Sequence, residues 1–105
     1  QTRDFLYVGD VAEAHELALR TSVSLTVNIS SEKALSVNEL FRMMAVEVGY
    51  LRDPVYKKKR LGDVGHITLA NSQAKRLLDW TPKTLFLGGM KETLESMREG
   101  KTIDN

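Results

Sequence analysis

Two short stretches of the sequence combine residue types that bind phosphate groups. In Thr-Arg-Asp-Phe, Arg3 stands immediately before an apolar stretch, and in Arg-Leu-Gly-Asp, Arg60 and Asp63 flank a glycine that permits a tight bend. The planar guanidinium of arginine can donate two parallel hydrogen bonds to a phosphate, and a carboxylate can accept hydrogen bonds from a pair of hydroxyl groups. Both stretches are candidates for binding a phosphorylated ligand. The alternative for each is a surface Arg beside a carboxylate.

Residues for bond-making chemistry do not form a recognisable set. The sequence has neither a Gly-x-Gly-x-x-Gly loop nor a P-loop, and the pair Gly88-Gly89 stands alone. No Tyr is followed four positions later by Lys, and no order of Ser, His and Asp suggests a triad. The two isolated His residues and the absence of Cys argue against a zinc site. Taken alone, the chain is predicted to contain no catalytic residues.

Length and composition favour one globular domain over residues 1–105. The chain is 42% hydrophobic and 28% charged, as is ordinary for such a domain. No apolar run approaches the ~20 residues of a membrane span, so no membrane partner is expected. A net charge of +1 gives no general case for nucleic-acid binding, and the absence of Cys fits a cytoplasmic location.

Hydrophobic patterns predict a mixed α/β fold with about four helices and three short strands. Strands are predicted at 4–8, 24–30 and 54–60, where aromatic and β-branched residues cluster or alternate with polar ones. The first three helices are predicted to begin at polar residues that can cap their free N–H groups, Asp10, Ser36 and Asn71, and the last helix is predicted to start at Thr84 or its neighbours. Ser36 with Glu39 fits a capping box, and Gly49 marks the end of that helix.

Three blocks of the chain, taken in order, resemble the NAD-dependent nucleotide-sugar epimerases and dehydratases. These enzymes are extended short-chain dehydrogenase/reductases, and the blocks are most similar to those of UDP-glucose 4-epimerases. The blocks are QTRDFLYVGDVAEAHELAL, VNIS with the LSVNEL that follows it, and KKKRLGDVGHITLANSQAKRLLDWTPKTLFLGGMKETL. Together they cover nearly the whole chain.

The resemblance implies that the chain is the C-terminal, substrate-binding part of such an enzyme. An N-terminal Rossmann half, not contained in this sequence, would then carry the Gly-rich NAD loop and the catalytic Tyr-x-x-x-Lys pair. The expected ligand is a nucleotide sugar of the UDP-hexose type. NAD is the expected cofactor of the parent enzyme only, so the part alone is expected to be inactive. Because a strand and a helix face would be uncovered, we also expect a homodimer.

The resemblance also assigns roles to five residues. Arg3 would contact the diphosphate of the nucleotide sugar, with Phe5 lining the site beside it. Arg60 would be the second phosphate-binding arginine, and Asp63 would accept hydrogen bonds from the ribose. Val37 would pack against the base or the ribose, with a role in the core as the alternative.

Other notable residues are expected to be structural. Asp4 is predicted to anchor a local loop, Asp10 to cap a helix, and Trp80 to pack in the core. His66 is expected near the sugar without a catalytic role. Leu61 stands where the family usually has Pro, which loosens the loop that carries Arg60 and Asp63 and leaves the identity of the sugar open.

Three other functions remain open at this stage. The parent could be a dehydratase or reductase of the same family, which shares these blocks. The basic run Lys57–Arg60 could instead belong to a non-enzymatic domain that binds a polyanion, although a solvated surface explains the run more simply. A stand-alone sensor of nucleotide sugars is the third possibility.

Overall fold

The computed structural model describes residues 1–22, 24–58, 60–62 and 64–100. In chain order the elements are β1 (Thr2–Arg3), α1 (Val8–Arg20), β2 (Leu35–Ser36), α2 (Val37–Val48), α3 (Ser72–Leu78) and α4 (Phe86–Arg98). β1 and β2 pair in an antiparallel two-stranded sheet. The predicted mixed α/β class and its four helices are confirmed.

The three predicted strands are wrong in their positions. Residues 4–7 have no partner strand, and α1 already begins at Val8. Residues 24–30 form no strand, nor do the described residues of 54–60, from which Lys59 lies outside the described part of the chain. The alternation in 24–30 instead reflects burial, because Leu25, Val27 and Ile29 pack against the core. An alternating pattern reports a buried face, whereas a strand also needs a hydrogen-bonded neighbour.

The core lies between α1, α3 and Trp80, which follows shortly after α3. Its buried members are Ala14, Ala74, Leu78 and Trp80. Trp80 is fully buried, and its indole N–H donates a hydrogen bond to the backbone carbonyl of Asp10 at 2.9 Å. The predicted packing role of Trp80 is confirmed, since the ring fills the core and its polar atom has a partner.

Asp10 does not cap α1 as predicted. The helix begins two residues earlier, with Tyr7 at the N-cap position, so Asp10 lies within the first turn. Its buried carboxylate accepts hydrogen bonds from the backbone N–H groups of Lys83 and Thr84 at 3.3 and 3.0 Å, and from the Thr84 hydroxyl at 3.2 Å. Asp10 therefore joins α1 to the segment before α4, which begins two residues after Thr84.

The predicted ends of α2 are confirmed. The Ser36 hydroxyl accepts a hydrogen bond from the N–H of Glu39 at 3.0 Å, and Gly49 ends the helix with a left-handed φ of 73°. Asn71, in contrast, does not cap α3 with its side chain. Its amide donates to the backbone carbonyl of Ser30 at 2.8 Å in the interior. Pairing with a distant segment has replaced the local cap.

The molecule is less compact than its length predicts. Its radius of gyration is 16.3 Å, against about 13 Å for a compact domain of this size. Several large apolar side chains are almost fully exposed, including Leu19, Leu51 and Val55. None of the helices in the described ranges is long and apolar enough to cross a membrane.

Candidate functional site

β1 brings two of the predicted site residues together. It pairs with β2 so that Arg3 lies directly opposite Leu35. The N–H of Val37, the first residue of α2, donates to the carbonyl of Gln1 at 2.9 Å. Because directly opposed residues of an antiparallel pair point to the same face, the side chains of Arg3 and Leu35 share one face of the sheet. Arg3 and the start of α2 are therefore held within one hydrogen-bonded unit.

The other edge of β1 pairs with the segment that follows Arg60. Thr2 forms a parallel bridge with His66. The N–H of Thr2 donates to the carbonyl of Gly65 at 2.9 Å, and the N–H of Ile67 donates to the carbonyl of Thr2 at 3.1 Å. The segment 65–67, which follows the stretch that begins at Arg60, is therefore a direct neighbour of the strand that carries Arg3.

Arg3 is half-buried and contacts backbone oxygens. Its Nη1 donates to the carbonyl of Thr2 at 2.7 Å and approaches that of Gly65 at 3.5 Å. Among the described residues, no carboxylate forms an ion pair with Arg3. A guanidinium has five N–H donors, and these contacts use only one of its NH2 groups. Within the described part of the chain, the Nε and Nη2 edge, whose paired donors suit a phosphate, makes no contact of this kind.

Asp4 anchors a loop as predicted, but the loop is distant in sequence, so the expectation of a local anchor is wrong. Its carboxylate accepts hydrogen bonds from the N–H and hydroxyl of Ser31 at 2.8 and 2.6 Å, and from the N–H of Glu32 at 3.1 Å. Glu32 has a left-handed φ of 62°, which is uncommon for a residue with a side chain. Asp4 thus stabilises a strained turn and fixes the chain between Arg3 and Phe5.

Phe5 lies in the wall of an apolar groove of about 590 Å³. Its ring centroid lies 6.4 Å from that of Phe86. Leu35 also lines the groove, whereas Arg3, its neighbour across the sheet, does not. The structure therefore places Phe5 beside Arg3 along the chain without placing both side chains in one cavity.

One charged group on the wall of this groove is paired. The ammonium of Lys83 contacts the carboxylate of Glu13 at 2.7 Å. The hydrogen bond to Glu13 raises the pKa of Lys83 above its ordinary value. Lys33 also lines the groove, so the wall carries two positive charges among mostly apolar residues.

Of the remaining predicted site residues, two are exposed and one lies outside the described residues. Val37 is 42% exposed, so the alternative of a buried core role is wrong, and its side chain is accessible. Arg60 is exposed at the start of its loop. Asp63 lies outside the described residues, so its assignment to the ribose stays a prediction. The assignments of Arg3, Phe5 and Arg60 to ligand atoms also stay predictions.

Tyr7 is a residue of this region that the sequence analysis missed. Its hydroxyl donates to the carboxylate of Glu92 at 2.7 Å, and this hydrogen bond raises the pKa of Tyr7. Its ring packs so closely on two glycines that an added Cβ would lie 2.6 Å from the ring at Gly9 and 3.0 Å at Gly89. The Gly88-Gly89 pair, left unexplained by the sequence, was the available signal.

Comparison with known proteins gives a consistent result. No family model matches the chain. A protein of Methanocaldococcus jannaschii, provisionally named a UDP-glucose 4-epimerase, is 41% identical over 98 residues, which are 93% of this chain and 32% of that protein. The solved structure of UDP-glucose 4-epimerase from Thermotoga maritima with UDP-glucose is 37% identical with a TM-score of 0.89, over 96% of this chain and 33% of that one.

A second solved structure is also similar to the chain in sequence and fold. MoeE5 in complex with UDP-glucose and NAD is 34% identical with a TM-score of 0.87, over 97% of this chain and 35% of that one. The chain therefore spans about a third of the length of the proteins that it matches.

Proposed function

We propose that the chain is the nucleotide-sugar-binding portion of a UDP-glucose 4-epimerase or a related NAD-dependent epimerase, because it is similar in sequence and fold to about a third of the length of such proteins. The parent reaction would interconvert UDP-glucose and UDP-galactose. The observation that carries the proposal is the pairing of β1 with both β2 and the segment 65–67. That pairing supports the proposal because it holds Arg3, the start of α2 and the segment that follows Arg60 next to one another.

The proposed contribution of these residues is binding and orientation. A nucleoside diphosphate sugar carries about two negative charges, and two arginine forks can each donate charge-assisted hydrogen bonds to it. Phe5 and Val37 would contribute apolar contacts, and Asp63 would accept hydrogen bonds from the ribose. Holding the nucleotide at a fixed place gives the sugar a defined position at the reacting centre, which is a substantial part of catalysis.

Residues of this chain do not fit NAD. A dinucleotide site needs a parallel strand, a Gly-rich turn and a helix whose N-terminus meets the pyrophosphate. The described residues form no such unit, and the sequence has no Gly-x-Gly-x-x-Gly. We therefore assign NAD, and the hydride chemistry that it supplies, to a Rossmann half in a longer parent protein. The chain alone is expected to bind NAD negligibly and to leave UDP-galactose unchanged.

The same Rossmann half is the proposed partner of the apolar groove lined by Phe5. A groove of about 590 Å³ with a mostly apolar wall is a surface that proteins usually cover. The large radius of gyration supports the same view. A homodimer is the proposed state when no Rossmann half is present. The absence of Cys supports the proposed cytoplasmic location.

The test is a calorimetric titration of the chain with UDP, UDP-glucose and dTDP-glucose. Arg3→Ala and Arg60→Ala are each expected to weaken UDP binding by about 10-fold or more, because hydrogen bonds to charged groups are the stronger kind. Arg20→Ala is the matched control, since it removes the same charge at the far end of α1, roughly 18 Å from its start. Binding of UDP that survives both site variants would overturn the proposal.

The same titration separates the remaining alternatives. A preference for dTDP-glucose over UDP-glucose would favour another member of the family, such as a dehydratase. Lys57, Lys58 and Arg60 are exposed, so a polyanion could also reach them. A single-stranded oligonucleotide is therefore included as a competitor. Displacement of UDP by the oligonucleotide would favour the polyanion-binding domain.

A further inference from the structure

A side-chain contact joins β1 to the segment 65–67, which pairs with it. The hydroxyl oxygen of Thr2 lies 2.8 Å from Nδ1 of His66, across 64 positions of sequence. A hydroxyl can donate or accept, so either tautomer of the imidazole can form this hydrogen bond. The proposed function assigns a role to neither residue.

The Thr2–His66 pair reinforces a minimal backbone connection. Thr2 and His66 form an isolated parallel bridge, held by the hydrogen bonds at Gly65 and Ile67. A single bridge near the surface is open to competition from water. The side-chain hydrogen bond adds a third link between the same two segments, and this link fixes their register.

The position of Gly65 matters for Arg3. The carbonyl of Gly65 accepts the N–H of Thr2 at 2.9 Å and is approached by Nη1 of Arg3 at 3.5 Å. The carbonyl of Thr2 accepts from the same Nη1 at 2.7 Å. Since the guanidinium is planar, holding Nη1 against these oxygens sets the direction of the Nε and Nη2 edge.

We propose that His66 is a positioning residue that acts through Thr2 to hold the Gly65 carbonyl beside Arg3 and so to aim the guanidinium at a diphosphate. The inference rests on the proposed function for the identity of the ligand. It goes beyond that function by naming the Thr2–His66 pair as the contact that orients Arg3 and holds the segment 65–67 beside it.

The first test needs no ligand. Rotation about the Cζ–Nη1 bond of Arg3 and exchange of the Ile67 amide with solvent are measured by NMR on the full chain. Thr2→Val and His66→Ala are each expected to raise both rates by about 5-fold, the effect of losing one typical hydrogen bond. Thr2→Ser and His66→Asn keep a polar atom near the same place and are expected to stay within about 2-fold of the unchanged protein. Equal rates in all five proteins would overturn the inference.

The second test separates positioning from general loss of structure. His66→Ala is expected to weaken UDP binding by about 5-fold while leaving the affinity for uridine unchanged. In an Arg3→Ala background the same substitution is expected to have no further effect, because the group that it aims is gone. Additive losses in the double variant would overturn the inference. Failure of the unchanged protein to bind UDP would refute the proposed function, and the NMR rates would still decide the role of His66.

Discussion

At the scale of single residues, two carboxylates connect parts of the chain that are far apart in sequence. Asp4 holds the turn at Ser31 and Glu32, and Asp10 holds the segment before α4. Each accepts several hydrogen bonds, so its loss leaves backbone N–H groups without a partner in a partly buried place. Both residues therefore hold in place segments that lie next to the candidate site residues Arg3 and Phe5 or to the groove wall.

Asp4→Ala is expected to lower the free energy of unfolding by about 1–3 kcal/mol, because it leaves the N–H groups of Ser31 and Glu32 unsatisfied. Asp4→Asn keeps an acceptor oxygen and is expected to cost less. Urea denaturation followed by circular dichroism measures both. The control is Asp53→Ala, at an exposed position, and an equal cost for Asp4→Ala and the control would contradict the prediction.

Tyr7→Phe is expected to destabilise the protein at neutral pH, because it removes the hydrogen bond to Glu92. The pKa of Tyr7 is raised in the folded state, so the folded protein favours the protonated phenol. The stabilisation is therefore present below the unfolded pKa of about 10 and is lost as the pH rises through the folded pKa.

Melting temperatures of the unchanged protein and Tyr7→Phe, measured from pH 7 to 11, check this sign. The advantage of the unchanged protein should shrink above pH 10 or so. Tyr50→Phe is the control, because the Tyr50 ring packs edge-on against Phe41 and keeps that contact. A difference that grew with pH would show that the sign is wrong.

At the scale of elements, α4 is positioned by the Tyr7 ring against a glycine. A Cβ added at Gly89 would lie 3.0 to 3.2 Å from three atoms of Tyr7, one of which is the Cβ of Tyr7. A Cβ added at Gly88 would meet nothing within 4 Å. Both glycines lie in α4. Substitution of Gly88 therefore reports helix propensity alone, whereas substitution of Gly89 in the same helix also reports packing against Tyr7.

Gly88→Ala is expected to stabilise the protein by up to about 1 kcal/mol, the difference in helix propensity between Ala and Gly. Gly89→Ala gains the same propensity but must push Tyr7 away from α4, so a net destabilisation is expected, comparable with the ~1–3 kcal/mol of an overpacked core. Thermal denaturation measures both variants. If Gly89→Ala were as stabilising as Gly88→Ala, the contact between Tyr7 and α4 would not be the constraint that the structure shows.

At the scale of the whole molecule, the main feature is apolar surface that no other described part of the chain covers. The groove beside Phe5 and the exposed side chains Leu51 and Val55 leave apolar surface in contact with water. The radius of gyration of 16.3 Å agrees with an open arrangement. A chain with this surface is expected to associate, either with the rest of a longer protein or with itself.

The isolated chain is expected to show a mass that rises with concentration in light scattering. Met44→Lys, which places a charge in the groove wall, is expected to shift the mass toward that of a monomer. Leu19→Lys is the matched control, because Leu19 is 87% exposed on α1 and does not line the groove. A monomer mass that is independent of concentration in the unchanged protein would contradict the prediction.

Some features with short-range causes were predicted correctly from the sequence, whereas the local caps at Asp10 and Asn71 were not. The cap at Ser36 and the left-handed Gly49 depend on residues within one turn, so a local pattern suffices to find both ends of α2. The four helices follow from hydrophobic patterns together with capping and helix-breaking residues, and the packing role of Trp80 follows from its large apolar ring. The ordered motif blocks likewise indicated the family, because they extend through nearly the whole chain.

The sequence by itself determined the presence of the helices, the fold class and the family. The helices and the fold class follow from residue types at short and regular spacing, and the family follows from motif blocks in a fixed order. Only the tertiary structure decided which strands pair, that Asp10 holds Thr84, and that Thr2 meets His66. Those contacts join positions 74 and 64 residues apart. No local pattern encodes such a distance, because partners are chosen by the packing of the whole chain. For the same reason the alternation at 24–30 marked a buried face but could not reveal that the face lacks a neighbouring strand.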